Sequence, residues 1–295
     1  MNLVLNINKS SNITSRDAVT AVKKLFKVRK AGHAGTLDPI ATGILLICLN
    51  EATKITGYLS DLDKEYVVTA KLGESTDTYD SEGAVIRQTD AHRVALNDIE
   101  TLLQRFTGSI SQTPPMFSAI KMNGRPLYEL ARKGIEVERK PRVVTVHSIE
   151  ILEFKTPYLK MRVSCSKGTY IRSLCNDIGN ALDVGAYVSE LVRTRIGDFT
   201  LENAAAVDEL PHKTSALHTI DAALKHLPEI ILKSHEYIRA INGNPVSIVE
   251  EERRWAGEIV GLRSAFVRLK NPEGNIFGIG KVVSGSIKIE RLFKI

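Results

Sequence analysis

Apolar positions along this chain change their period several times, and each change marks an element. "LVLNI", Leu3–Ile7, alternates apolar and polar residues and predicts a short strand. Val19, Val22, Leu25 and Phe26 then recur at helical spacing, preceded by Thr14 and Asp17 in the arrangement of a capping box. "GHAGTLDP" is expected to be a loop, because Gly32, Gly35 and Pro39 punctuate it. "GILLICL", Gly43–Leu49, is apolar without interruption, as in a strand covered on both faces. "EATKITGYLSDL" returns to helical spacing through Ile55, Tyr58, Leu59 and Leu62. "KEYVVTAKLG" predicts a strand, "TDTYDSEG" a turn into "AVIRQ", and "LNDIETLLQRF" a helix with Asn97 as N-cap. "VVTVHSIEILEF" and "YLKMRVSCS" read as strands, "GTYIRSLCNDIGNAL" as a turn into a helix, and "AYVSELVRTRIGDF" as a returning strand.

Strands and helices alternate here without a strict βαβ rhythm. The fold class expected is α+β, with a mixed, largely antiparallel sheet flanked by helices. Thr107–Arg142 is less regular and reads as an inserted, partly mobile lobe. Glu202–Ile230 reads as a linker. Beyond it, short β-like runs, "INGNPVSI", "GEIVGLRSAFVRL", "NIFGIGKVV" and "SIKIERLF", are separated by turn residues and predict a small C-terminal β-barrel. Two domains are expected, residues 1–229 and 230–295, with the insert at about 107–142 inside the first.

Charge adds a direction. Lys and Arg number 40 and Asp and Glu 34, a net charge of +6, which suits a polyanionic partner. Lys23, Lys24, Lys27, Arg29 and Lys30 crowd one face of the first helix and its exit, without an acid among them. That run reads as a solvated face or as a phosphate-contacting one. The insert carries Lys121, Arg125, Arg132, Lys133, Arg139, Lys140 and Arg142, interleaved with Phe117 and Tyr128, a composition suited to a nucleic-acid contact. The three cysteines form no CxxC pair, so a zinc ribbon or disulfide framework is not expected and a reducing compartment is. The N-terminus lacks a signal-peptide pattern, and the longest apolar run falls far short of the roughly 20 residues of a membrane span. A cytoplasmic protein with no membrane partner is expected.

Several chemistries find no support. No phosphate-binding glycine loop, dinucleotide fingerprint, HExxH or nucleophile elbow occurs, and the seven histidines are scattered, so no metal site is expected. What remains is one carboxylate loop, "GHAGTLDP", and two polar stretches, "KEY" and "SKGTYIRS". Each has an ordinary reading: Asp38 before Pro39 as a turn residue, Tyr66 as a strand aromatic, Arg172 as a cap, His33 as exposed loop.

Taken in order, "GHAGTLDPIATGILLICLNEATK", "DKEYVVTAKLGESTDTYDSEG", "PPMFSAIKMNGRPLYELARKGIEV" and "CSKGTYIRSL" resemble the bacterial tRNA pseudouridine-55 synthase (TruB-type) family over residues 3–200. The C-terminal segment is more weakly similar to that family's PUA-like RNA-binding barrel. The resemblance implies a cofactor-free isomerisation of one uridine in the tRNA T-loop, with the T-arm stem-loop as partner and the protein acting as a monomer. It makes Asp38 the reacting aspartate, Arg172 its partner, and Tyr66 the stacking residue and candidate carrier of the C5 proton. It makes His33 the residue that enters the loop vacated by the base, Tyr170 and Leu191 the pocket lining, and Lys9, near the first strand, a further substrate-binding residue. Attack by Asp38 on ribose or uracil and a glycal-forming elimination are both open to it.

The chemistry is consistent with those residue types. A stacked base must be extruded, at a cost of a few kcal/mol, and flat side chains must fill the gap and hold the base. A carboxylate in a closing pocket needs a cation within reach to stay charged. Two positions depart from the family pattern. "KSSNITS", Lys9–Ser15, stands where a "KPxGxTS"-like stretch is usual, and Val192 in "LVRTRIG" stands where arginine is common. Two other readings remain: an RNA-binding or chaperone protein with a vestigial site, and a guide-RNA-dependent pseudouridine synthase.

Overall fold

In a computed structural model the described residues are 1–122, 124–247, 266–283 and 285–294. The first half contains β1 (Leu3–Lys9), α1 (Ser15–Phe26), β2 (Ala31–His33), β3 (Thr42–Leu49), α2 (Thr56–Ser60), β4 (Lys64–Leu72), β5 (Glu74–Thr76), β6 (Val85–Gln88), α3 (Leu96–Leu103) and β7 (Gly108–Gln112). There follow β8 (Lys121–Met122), β9 (Arg125–Pro126), α4 (Leu127–Ala131), β10 (Arg142–Lys155), β11 (Tyr158–Cys165), α5 (Ile171–Ala181), β12 (Ala186–Ile196), β13 (Phe199–Thr200), β14 (Leu217–Thr219) and α6 (Ile220–Ala223). The last stretch holds β15 (Glu229–Ile231), α7 (Ser234–Ile241), β16 (Val246–Ser247), β17 (Phe266–Lys270), β18 (Ile276–Val283) and β19 (Ser286–Leu292).

The main sheet runs β14-β1-β3-β12-β4-β11-β10-β7, with β2 attached to β3 and β13 to β12. All of its pairings are antiparallel except β12 with β3, so it is mixed and largely antiparallel as expected. One face packs Leu5, Ile7, Leu45, Ile47, Val68 and Leu191 against Ala18 and Val22 of α1, Ile99 of α3, and Leu174 and Ile178 of α5. The other packs Val4, Ile44, Leu46 and Cys48 against Leu59 of α2, Ala223 of α6, and Ile279 and Phe293 of the C-terminal sheet. The unbroken apolar run of β3 is thereby explained, since both of its faces are covered. The C-terminal sheet, in order β15-β17-β18-β19-β16, has its own core around Leu232, Val267, Leu269 and Ile287.

The start of α1 is built as its sequence requires. The Asp17 amide donates to Thr14 Oγ1 at 3.1 Å and the Thr14 amide to Asp17 Oδ2 at 3.0 Å, and Lys27 closes the helix in the left-handed region. Asn12, where the family pattern has glycine, sits at φ 64°, a conformation asparagine tolerates better than most residues.

Several expectations need correction. Leu25 is exposed, because the buried stripe of α1 is Ser15, Ala18, Val19 and Val22. Asn97 lies inside α3; the cap position is Ala95, whose amide donates to Asp98 Oδ2 at 3.2 Å. The segment taken as insert from residue 107 begins inside the sheet, because Gly108–Gln112 is β7, paired along β10. The excursion proper spans 113–141. The supposed linker is part of the fold: β14 extends the sheet beyond β1, and Ala205 bridges to Ile7. Its many short polar steps hid a three-residue edge strand. The stretch 257–265, expected to begin a strand, lies outside the described residues, while its continuation is β17.

Gly43 sits at φ +100°, and a Cβ there would lie 2.3 Å from the Arg193 carbonyl oxygen. Gly57, in α2, has open space around it. Gly43→Ala is therefore expected to lower the unfolding free energy by at least about 3 kcal/mol in urea titrations. Gly57→Ala in the same assay should be neutral or stabilise by about 0.4–1 kcal/mol.

Candidate active site

The sheet brings the polar stretches together above β4 and β12. Tyr66, near the start of β4, lies in register with Arg193 of β12 on one side and Val163 of β11 on the other. Leu191, two residues before Arg193, lies opposite Val68 and shares that face. The loop between β2 and β3 carries Asp38, and the start of α5 carries Tyr170 and Arg172. These segments enclose a cavity of about 640 Å³ whose walls include His33, Asp38, Tyr66, Tyr170, Arg172 and Leu191. The volume suits a base with part of its sugar.

At its centre is an ion pair. Arg172 Nη2 donates to Asp38 Oδ1 at 3.2 Å, and Arg172 Nε lies 2.9 Å from Oδ2, at an angle poor for a second hydrogen bond. The Arg172 side chain is only 5% exposed, whereas that of Asp38 is 31% exposed, so the carboxylate faces the cavity and the guanidinium lies behind it. Arg172 Nη1 reaches Asp80 Oδ2 at 3.3 Å and donates to the Thr78 carbonyl at 3.0 Å, while Nη2 also donates to the Phe117 carbonyl at 2.8 Å. Asp80 is itself buried, so one cation bridges two carboxylates and two carbonyls.

The Asp38 loop is tied down around its length. Ser15 Oγ accepts from the Leu37 amide and donates to the Leu37 carbonyl, both at 2.9 Å. The Asn12 amide and Lys9 Nζ both donate to the Pro39 carbonyl, at 2.9 and 3.2 Å. The Ala41 amide donates to the Asp38 carbonyl at 3.1 Å, so the turn expected of Asp-Pro does form.

Burial acts on the titrating groups. It pushes the Tyr66 phenol up, with the Arg193 charge opposing, so the phenol is neutral at physiological pH. Burial also pushes the Tyr170 phenol up. Burial, reinforced by Arg193, lowers His33, leaving a neutral imidazole at the cavity edge. His33 belongs to the short strand β2, so only the segment after it is loop. The glycine punctuation had suggested otherwise, but the pairing partner, β3, lies further along the chain.

Residues 23–171 match the family model described as TruB family pseudouridylate synthase (N terminal domain), and residues 172–232 match tRNA pseudouridylate synthase B C-terminal domain. The chain belongs to the TruB family of pseudouridylate synthases. Proteins named tRNA pseudouridine synthase B are similar along nearly the whole chain. That of Clostridium kluyveri is 45% identical, covering 99% of this chain and 100% of its own. That of Clostridium tetani is 40% identical, covering 99% of each. Among solved structures, a chain of a Cbf5-Nop10-Gar1 complex aligns with TM-score 0.74 at 27% identity, covering 99% of this chain and 84% of that one. A chain of an H/ACA RNP bound to a substrate RNA containing 2'-deoxyuridine aligns with TM-score 0.72 at 25% identity, covering 99% and 85%.

Six of the seven residues singled out from the TruB-type pattern therefore share one cavity. Lys9 does not. It is 1% exposed, its Nζ donates to the carbonyls of Ser10, Ile13 and Pro39, and it lies behind the Asp38 loop. The direct substrate contact expected of it is replaced by a tie between two segments, because the side chain turns into the fold. Asp80 and Arg193 were missed. The repeated acids of "TDTYDSEG" were a signal for the first; for the second, an arginine in an otherwise alternating strand was the only cue.

Burial lowers Lys9 to about 8, against 10.5 for an unperturbed lysine. Between those values the unfolded chain binds more protons than the native one, so Lys9 makes the native state gain stability as pH rises. The buried thiols of Cys48, Cys165 and Cys175, pushed up by desolvation, act in the opposite sense, so only a difference between variants isolates Lys9. The unfolding free energy of the wild type minus that of Lys9→Met should increase between pH 7.5 and pH 10. A pH-independent difference would contradict the burial of a charged Lys9.

Proposed function

We infer that this TruB-family chain converts the uridine at position 55 of the tRNA T-loop to pseudouridine, with Asp38 as the reacting group. The observation that carries this is the partly exposed carboxylate held against a buried arginine in a cavity of about 640 Å³ with aromatic walls. The N1–C1′ bond breaks, the uracil turns, and a C5–C1′ bond forms. C5 loses a proton and N1 gains one. No atom or electron is gained or lost overall, so the reaction consumes no oxidant, reductant or co-substrate.

The residues divide the work. Arg172 orients Asp38 and supplies its counter-charge. Tyr66 and Tyr170 hold the extruded base between them, with Leu191 as an apolar wall. As a neutral phenol, Tyr66 begins the reaction as a stacking surface and handles the C5 proton only as a relay. His33, neutral at the cavity edge, fills the place the base leaves. Lys9 acts at one remove, through the Pro39 carbonyl. Residues 1–229 form the isomerising domain and 230–295 a PUA-like RNA-binding domain. The T-arm is the partner, met by a monomer through the exposed Lys24, Lys27, Arg29 and Lys30 and through Lys121, Arg125, Arg132 and Lys133 of the excursion. A guide-RNA-dependent activity has support in the likeness to the H/ACA chain. The 40–45% identity to relatives named tRNA pseudouridine synthase B favours the tRNA reading over it.

Asp38→Asn should leave tRNA affinity within about threefold while product formation falls below detection, since only the reacting oxygen is lost. Arg172→Lys should retain binding and lose about 100-fold or more in single-turnover rate, because one ammonium cannot reproduce the guanidinium's contacts. Wild-type turnover by Asp38→Asn would overturn the assignment. Filter binding between 50 and 200 mM salt should show log K falling linearly with log[salt], with a slope of roughly −0.7 to −0.9 per phosphate neutralised, and a flat response would remove the basic surfaces from the interface.

A further inference from the structure

Arg193 is 1% exposed and is among the largest side chains buried this completely. Among the described residues, no carboxylate lies within 4.0 Å of its guanidinium. It is spent instead on backbone: Nε donates to the Ile44 carbonyl at 2.7 Å, Nη1 to Thr36 at 3.2 Å and Nη2 to Gly35 at 3.2 Å. A buried cation without a counter-ion is costly to the fold, which makes its placement informative.

That placement is specific. Gly35 and Thr36 precede Asp38, and Ile44 follows it, so one guanidinium holds both arms of the loop. The Arg193 backbone also closes on the loop's far end. It pairs with Gly43, whose missing Cβ is what lets the two chains approach. On its other side, Arg193 is in register with Tyr66. A single residue thus touches the approach to Asp38, the departure from it, and the strand position of the stacking ring. Its charge, after burial, also lowers His33 and adds to the lowering of Lys64, two further groups on the cavity wall.

We propose that Arg193 is a positioning residue for the isomerisation, setting the separation of the Asp38 carboxylate from the Tyr66 ring through its clasp on the Gly35–Ile44 loop. At 1% exposed it offers RNA almost no surface, so its action falls on the reacting step rather than on RNA affinity. The proposal rests on the uridine-isomerising reading above.

The test compares wild type, Arg193→Met and Arg193→Lys in single-turnover assays on an unmodified tRNA transcript, in tRNA binding, in thermal melting and by crystallography. Arg193→Met is expected to lose about 100-fold in rate, the scale of a misplacement near 1 Å, with the tRNA Kd within threefold of wild type. Arg193→Lys, which keeps the charge but cannot span three carbonyls, should fall between the two. In the crystals, Asp38 should shift relative to Tyr66 in Arg193→Met. Wild-type rates in Arg193→Met, or rate, affinity and melting temperature falling together, would overturn the proposal. If Arg193→Met does not fold, Arg193→Lys decides alone: a rate loss of about tenfold at unchanged affinity supports it, and a wild-type rate overturns it. If the wild type makes no pseudouridine, the functional reading fails while the crystal comparison still decides the positioning claim: a displaced Asp38 sustains it and an unmoved one ends it.

Discussion

The pairing of Asp38 with Arg172 is the interaction on which the rest of the site depends. A carboxylate shut into a cavity with a base gives up water contacts and needs a cation beside it in their place. Arg172 meets that need from behind, leaving the Asp38 oxygens toward the cavity. Because the guanidinium is itself buried, its two terminal nitrogens need further partners, and Asp80, Thr78 and Phe117 supply them. Those three residues lie on two different segments. The ion pair therefore also ties the turn after β5 and the root of the 113–141 excursion to the first turn of α5.

The second constraint is the fixing of a short loop. Asp38 sits between a strand of three residues and a strand of eight, seven of them buried, on a segment with little secondary structure of its own. Its position comes from outside: Ser15 at the start of α1, Asn12 and Lys9 after and within β1, and Arg193 from β12. Three of these four are buried polar residues hydrogen-bonded to backbone carbonyls. Polar groups inside the fold thus fix the loop while the apolar core fixes the sheet beneath it. The replacement of the usual glycine by Asn12 is tolerated because asparagine also adopts the left-handed conformation required there.

Much of this was legible in the sequence, for reasons that differ by element. β3 announced itself by an apolar run that only double burial explains, and α1 by a capping box that forms as written. The resemblance to the TruB-type pattern located Asp38, Tyr66, Tyr170, Arg172, Leu191 and His33, which share one cavity. What was not legible depends on long-range pairing. β14 is three residues in a polar stretch and becomes a strand only because β1 offers it an edge. Lys9 looked available to RNA because nothing local showed that its ammonium turns inward. Arg193 and Asp80 gain their meaning from partners more than 90 residues away. Spacing along a chain cannot reveal a clasp closed across a sheet.

This one chain, with its paired aspartate, is expected to isomerise a single tRNA uridine unaided. The most direct measurement is to incubate the purified protein with an unmodified tRNA transcript, no other RNA being present, and to detect pseudouridine at nucleotide resolution. Pseudouridine is expected at position 55 of the T-loop and at no other position. Product elsewhere, or product appearing only when a second RNA is added, would contradict it.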